Sequence, residues 1–197
     1  MTGRLLPLRR IEGATDELSD QALLAAVGTG DSAALGALFD RFHAVVYRFV
    51  ARLATTDLDA RDDLVQATFL EVQRSAASFR GTSSVRTWIL GVAANLARHA
   101  LRGERRRRAR QARFVDVPRP GPMAVDAQVE RRRLLDQVER AVATLPHDLH
   151  VVFVLCDLEQ LPGTEVARAL AIPEGTLWRR LHDARKAIRV AVEGGRR

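Results

Sequence analysis

The sequence is most informative at first for what it lacks. A single cysteine in 197 residues excludes any intrachain disulfide. That residue, Cys156, lies in the apolar run VVFVLCDL, which predicts a buried, inert thiol rather than a redox sensor. Aromatic residues are only 5% of the chain and strand-type alternation is scarce, so a β-rich architecture is excluded and an all-α fold is expected. No apolar run approaches the roughly 18–20 residues that span a bilayer. The start, MTGRLLPLRRIEG, has too short an apolar stretch for a signal peptide, so a cytoplasmic protein without membrane insertion is expected. GxxxxGKS/T, GxSxG and HExxH are all missing, which removes the corresponding nucleotide-binding and hydrolase signatures. His147 and His150 are spaced as HxxH, but no cysteine or histidine pair completes a four-ligand set. Asp62 and Asp63 lack the partners that would mark a catalytic carboxylate pair. A protein without catalytic residues, metal or cofactor is expected.

What the chain does have is arginine, unevenly placed. Lys186 is the only lysine, so coding bias contributes to the arginine count. Residues 1–97 carry 10 basic and 11 acidic groups, residues 98–125 carry 9 and 2, and residues 126–197 carry 12 and 11. The net charge of +7 therefore resides in one central stretch, which points to a localised polyanion contact. Hydrophobic residues are 47% of the total, enough for one or two domains with real cores.

Residues 1–18 read as a loose arm. Ser19 or Asp20 can cap a helix DQALLAAVG, and Asp31 can cap SAALGALFDRFHAVVYRFVARLA. A third helix is expected near Asp59–Ala77, with Leu64, Ala67, Thr68, Phe69 and Val72 as candidate core positions. A loop follows at Phe79–Ser84. Ser84 can cap a fourth helix, VRTWILGVAANLARHALRGERRR, with the stripe Val85, Trp88/Ile89, Val92 and Leu96. These four helices make a first domain, residues 19–103. Residues 104–125 begin as a charge run and end with three prolines and a glycine between 118 and 122, which reads as a linker. A second domain, residues 126–193, begins with the amphipathic AQVERRRLLDQVERAVATL. Leu145-Pro146 starts the helix HDLHVVFVLCDLEQ.

The second domain contains Pro162–Leu181, two short helices around the corner Ala171-Ile172-Pro173. Val166, Ala167 and Leu170 share a face of the first, and Leu177, Leu181, Ala184 and Ile188 line the second. Trp178, Arg179, Arg180, His182 and Arg185 lie off that stripe. This is the layout of a helix-turn-helix whose second helix enters the major groove. An ordinary helical hairpin with a solvated basic face is the competing reading. In the first domain, the loop Phe79–Ser84 with Trp88, Asn95 and Arg98 can form a pocket for an extruded base. Loop amides and small hydroxyls would line it, Trp88 would stack and Asn95 would meet a base edge. A core tryptophan and an asparagine bonded to a nearby loop are the alternatives. Arg98–Arg113 contains eight arginines and one glutamate and continues the helix that bears Asn95, which favours phosphate contact. Asp62–Val72, DDLVQATFLEV, is acidic at its start and amphipathic, as a capped surface helix also is.

Taken in order, these segments resemble the extracytoplasmic-function (ECF) group of bacterial sigma factors over about residues 20–192. DDLVQATFLEVQ resembles the family's grip on the clamp helices of the polymerase large subunit, which implies core-polymerase binding by Asp62, Asp63, Leu64, Gln66 and Phe69. FRGTSSVRTWILGVAANLARHALR resembles the family's −10 reader. The resemblance implies −10 DNA contacts by Phe79, Arg80, Gly81, Thr82, Ser83, Ser84, Trp88, Asn95, Arg98 and Arg102, with a flipped non-template base in the loop. Leu145-Pro146, Glu165-Val166-Ala167, Gly175-Thr176-Leu177 and Arg180-Leu181 resemble region 4. That implies −35 contacts by Glu174, Thr176, Trp178, Arg179, Arg180, His182 and Arg185. Ala171 stands where the corner often has glycine, His150 where an arginine is usual, and His99 where an acid is usual. Trp178 and Arg179 replace common basic and serine positions.

The resemblance implies a sigma region 2-like four-helix domain and a region 4-like helix-turn-helix domain, joined by a basic, proline-containing linker. It implies a non-enzymatic promoter-specificity subunit. Its partners would be core RNA polymerase, through the clamp helices and a second surface for the C-terminal domain, and promoter DNA, with an anti-sigma factor as a further candidate. The rivals are a free-standing helix-turn-helix regulator, which binds an operator without polymerase, and a metal-using nucleic-acid enzyme, against which the linker and the missing acidic constellation argue.

Overall fold

The computed structural model describes residues 18–53, 58–110 (side chains to residue 100) and 136–194. The expected arm up to residue 17, the break at 54–57, residues 111–135 and the tail 195–197 lie outside the described residues. Regular structure among the described residues is helical throughout.

The first unit is built as the capping residues dictate. The Ser19 side chain accepts from the Ala22 N–H at 3.2 Å and opens α1 (Asp20–Gly28). Asp31 Oδ1 accepts from the Ala33 and Ala34 N–H groups at 2.8 and 3.1 Å and opens α2 (Ser32–Leu53). α3 (Leu58–Ser75) ends in a 3₁₀ turn, Ala76–Ser78. It buries Leu64, Val65, Thr68, Phe69 and Val72, whereas Ala67, an expected core position, is half-buried. The Thr68 hydroxyl is satisfied by donating to the Leu64 carbonyl at 2.7 Å.

α4 (Val85–Arg110) runs past the expected domain end at residue 103. Only Gly103 in that stretch disfavours helix, by about 1 kcal/mol, and the surrounding arginines are good helix formers. The buried face of α4 is Val85, Ile89, Leu90, Ala93, Ala94 and Ala97, wider than the expected stripe. Trp88, Val92 and Leu96 are only half-buried. The cause is that α4 is covered twice, by α2 and α3 of its own unit and by a helix of the second.

The second unit comprises a helix over residues 136–143 (α5), α6 (His147–Phe153), α7 (Gly163–Ala169) and α8 (Glu174–Gly194). The expected helix from His147 changes pitch into a π turn at Val154–Leu158. Cys156, on that turn, is half-buried rather than buried. Burial, then the neighbouring Asp157 carboxylate, pushes its thiol up to about 11, so it stays protonated and unreactive at neutral pH. Val166, Ala167, Leu177, Leu181 and Ala184 are buried between α7 and α8, as their spacing predicts.

The two units dock on one another, and buried apolar residues of both form one cluster. α7 lies against α4, with Ala169 over Gly91. A Cβ at Gly91 would stand 2.8 Å from the Ala169 carbonyl oxygen and 2.9 Å from its Cβ, so only glycine allows this approach. Glu159, at the end of the π turn, ties the units together. Its carboxylate pairs with Arg52 of α2 and Arg86 of α4, and its side chain is only 6% exposed.

Candidate nucleic-acid interface

Phe79–Ser84 links the 3₁₀ turn to α4. Phe79 packs edge-on against Trp88, with ring centroids 5.5 Å apart, and both rings are half-buried. Arg80, Gly81 and Thr82 are exposed, and Ser83 is buried. Ser84 caps α4: its Oγ accepts from the Thr87 N–H at 3.1 Å and lies 2.7 Å from the Thr87 hydroxyl. The loop thus offers aromatic, hydroxyl and amide groups at one helix end. Further along α4, Asn95 Oδ1 accepts from Arg98 Nη2 at 3.0 Å. Arg102 lies on α4 beyond the described side chains.

On α3, Asp62, Asp63 and Gln66 are exposed along one side. Leu64 and Phe69 point inward, and Phe69 packs on Phe39 with centroids 4.8 Å apart. Of the five α3 residues singled out in the sequence, three form a surface and two hold it in place.

The face of α8 away from Leu177 and Leu181 carries Glu174, Trp178, Arg179, His182 and Arg185, all exposed, with Thr176 half-buried. Trp178 is half exposed and rests where a side chain at Gly163 would be: a Cβ there would stand 2.6 Å from its ring. Arg185 makes two bonds to the Asp157 carboxylate, at 2.8 and 2.6 Å, which raise its pKa. Arg180 turns inward and donates to Asp148 Oδ2 at 2.8 Å. Arg179 and His182 stand exposed where a groove could meet them, while Arg180 and Arg185 are held by acids of their own unit.

The structure brings together groups that no sequence spacing connects. Glu165 of α7 accepts from the Ser84 N–H at 2.8 Å and from the Thr87 hydroxyl at 3.0 Å. The Ser84 N–H, ahead of the other contacts, holds the Glu165 carboxyl below the usual carboxylate range. Arg168 donates to the Thr82 carbonyl at 2.9 Å. Sequence reasoning missed Thr87, Glu159 and Arg168 as contact residues. Thr87 alone had a local signal, since its N–H stands three residues after the capping Ser84, where an N-cap side chain reaches.

Two family models match the chain: Sigma-70 region 2 over residues 38–107 and Sigma-70, region 4 over residues 135–188. The ECF RNA polymerase sigma-E factor of Haemophilus influenzae is 32% identical over 191 residues, covering 90% of this chain and 97% of that protein. The chain belongs to the ECF group of sigma factors. The ECF RNA polymerase sigma-E factor of Escherichia coli K12 is 29% identical over 183 residues, covering 88% of this sigma factor and 94% of its relative. The structure of CnrH in complex with the cytosolic domain of CnrY has the same fold, with a TM-score of 0.63 at 19% identity over 89% of this chain and 97% of that one. The sigma factor RpoE of Bartonella quintana, solved with the anti-sigma factor NepR, gives a TM-score of 0.55 at 18% identity over 79% and 94%. Phe79–Asn95 lies inside the region 2 match, and α7 with α8 as far as residue 188 lies inside the region 4 match. No helix among the described residues is long and apolar enough to cross a membrane.

Proposed function

We propose that this ECF sigma factor acts in the cytoplasm, without chemistry of its own, as the subunit that gives core RNA polymerase its promoters. Two units, residues 19–103 and 126–193, bind separate polymerase surfaces and hold two DNA readers apart. The linker 104–125, whose first seven residues continue α4, joins them, and two weak contacts so joined gain through effective concentration. Asp62, Asp63 and Gln66 form the face offered to the clamp helices of the large subunit, with Leu64 and Phe69 beneath it. Phe79–Ser84, Trp88, Asn95, Arg98 and Arg102 take the −10 strand. A base trapped in the loop offsets an unpairing cost of a few kcal/mol. Glu174, Thr176, Trp178, Arg179, Arg180, His182 and Arg185 meet the −35 duplex, reading base edges and shape. An anti-sigma factor is a further partner class, by likeness to RpoE with NepR.

The observation that carries this reading is the pairing of a region 2 match with a region 4 match in one short chain. A free-standing regulator needs the second and has no use for the first. Asn95→Ala tests the strand assignment. The variant should bind core polymerase as the parent does, yet open promoters poorly in a permanganate footprint. Loss of core binding, or normal opening, overturns the role given to Asn95.

A further inference from the structure

Among the described residues, Trp178 is the largest apolar side chain left open to solvent, with half of it exposed. Exposure alone assigns nothing. The position and the support of the ring do. Trp178 is the fifth residue of α8, within the N-terminal turns that meet base edges when a recognition helix enters the major groove. Exposed His182 follows one turn on, along the same side. The ring is also held in place. Its atoms Cη2 and Cζ2 lie over Gly163 at the start of α7, where a Cβ would stand 2.6 and 2.7 Å from them. Any larger residue at 163 would displace the indole. A ring positioned before DNA arrives loses little freedom on binding.

Its surroundings narrow what it can read. Arg180 is bound to Asp148 and Arg185 to Asp157, so two of the three arginines assigned to this face are engaged inside their own unit. Donors for guanine are correspondingly few, and an apolar contact carries more of the choice. The indole itself has one donor and no acceptor. That N–H could meet a purine N7, but adenine and guanine both carry this acceptor, so the bond separates neither from the other. The apolar ring does discriminate. Thymine shows a C5 methyl in the major groove, which the ring covers with gain. Cytosine shows an amino donor instead, which the ring would cut off from water without replacing the lost bond.

We infer that Trp178 is a specificity-determining residue of this sigma factor: its indole, held over Gly163, packs on the C5 methyl group of a thymine in the −35 duplex. The inference deepens the proposed function and rests on its assignment of α8 to that duplex. Because the contact is to the methyl group, it vanishes when uracil replaces thymine, although every base-pairing hydrogen bond survives.

That difference supplies the test. A random duplex library is made twice, once with thymine and once with uracil, and each is enriched by binding to holoenzyme assembled from core polymerase and the full chain. The parent should fix a thymine in the upstream element of the thymine pool. Preference for that base should fall about fourfold in the uracil pool, the worth of one buried methyl. Trp178→Ala should lose the same preference and keep the rest of the selected sequence. Gly163→Ala retains the indole but pushes its far edge aside, and should lose the preference too. Damage to folding would weaken binding to both libraries alike and leave their ratio unchanged, and the parent's own comparison of the two libraries needs no variant. A thymine that stays fixed in the uracil pool, or a methyl preference that survives in either variant, overturns the inference while leaving α8 on the −35 duplex. A parent that enriches no upstream element from either library sinks the −35 assignment itself.

Discussion

Replacing Ala171 by glycine should make the chain more stable, against the usual direction of such a change. Ala171 closes α7 at φ 52°, in the left-handed region. Its N–H donates to the Arg168 carbonyl and the Ile172 N–H to the Ala167 carbonyl, both at 3.0 Å. This is the paired-bond helix ending whose left-handed position favours glycine. An L-residue there costs about 1–2 kcal/mol. Glycine relieves that cost but returns about 0.4–1 kcal/mol through the freer unfolded chain. Ala171 is exposed, so deleting its methyl leaves no cavity, and both hydrogen bonds are backbone bonds that survive. The central net gain is about 0.8 kcal/mol, or a rise in Tm of about 2–3 °C for a chain of this length. Urea unfolding followed by tryptophan fluorescence measures it, with Trp178 reporting from the same unit. Ala187→Gly, at an exposed position inside α8, should lose about 1 kcal/mol in the same assay. A midpoint for Ala171→Gly at or below the parent's, with unchanged slope, would refute the reasoning.

The Glu159 clamp should be asymmetric. Arg52 and Arg86 are 41% and 37% exposed and can turn to water when Glu159 is removed, whereas the carboxylate is 6% exposed and cannot. Arg52→Ala with Arg86→Ala should therefore cost about 3–5 kcal/mol, less whatever parting of the units recovers, and Glu159→Ala only about 1–2 kcal/mol. Thermal unfolding that ranks them the other way contradicts this. His150 should make stability depend on pH. Burial, then the nearby His147, lowers its pKa from 6.5 to about 4, so the folded chain keeps the ring neutral where the unfolded chain protonates it. Its contribution is present in full above pH 6.5, declines on acidification by up to about 1.4 kcal/mol per unit, and levels off below about 4. His150→Leu should flatten that decline, and an unchanged slope between those limits would rule the ring out as its source.

The all-α class, most helix positions and the three caps at Ser19, Asp31 and Ser84 were legible because they depend on local signals. So was the α7–α8 corner, including the unusual alanine at its turn. The π turn at Val154–Leu158 carried no such signal, since the apolar run VVFVLCDL suits a continuing helix equally well. The face of α4 was misjudged for a different reason. Periodicity reports one buried stripe, and α4 has two neighbours, the second brought by a chain segment some eighty residues away. The same distance hid the Glu165–Ser84 and Glu159–Arg86 contacts. Leu64 and Phe69 were named with the exposed acids of α3 because family motifs mix surface and supporting residues, and only packing separates them.

The central claim is that this chain selects promoters only when mounted on polymerase. The direct measurement is transcription by purified core polymerase on genomic DNA fragments, with and without the protein, alongside a binding assay of the protein alone on the same fragments. Discrete transcripts that appear only with both components, and no selective binding by the protein alone, are the predicted result. Selective capture of duplex fragments without polymerase, together with no affinity for core, would contradict it.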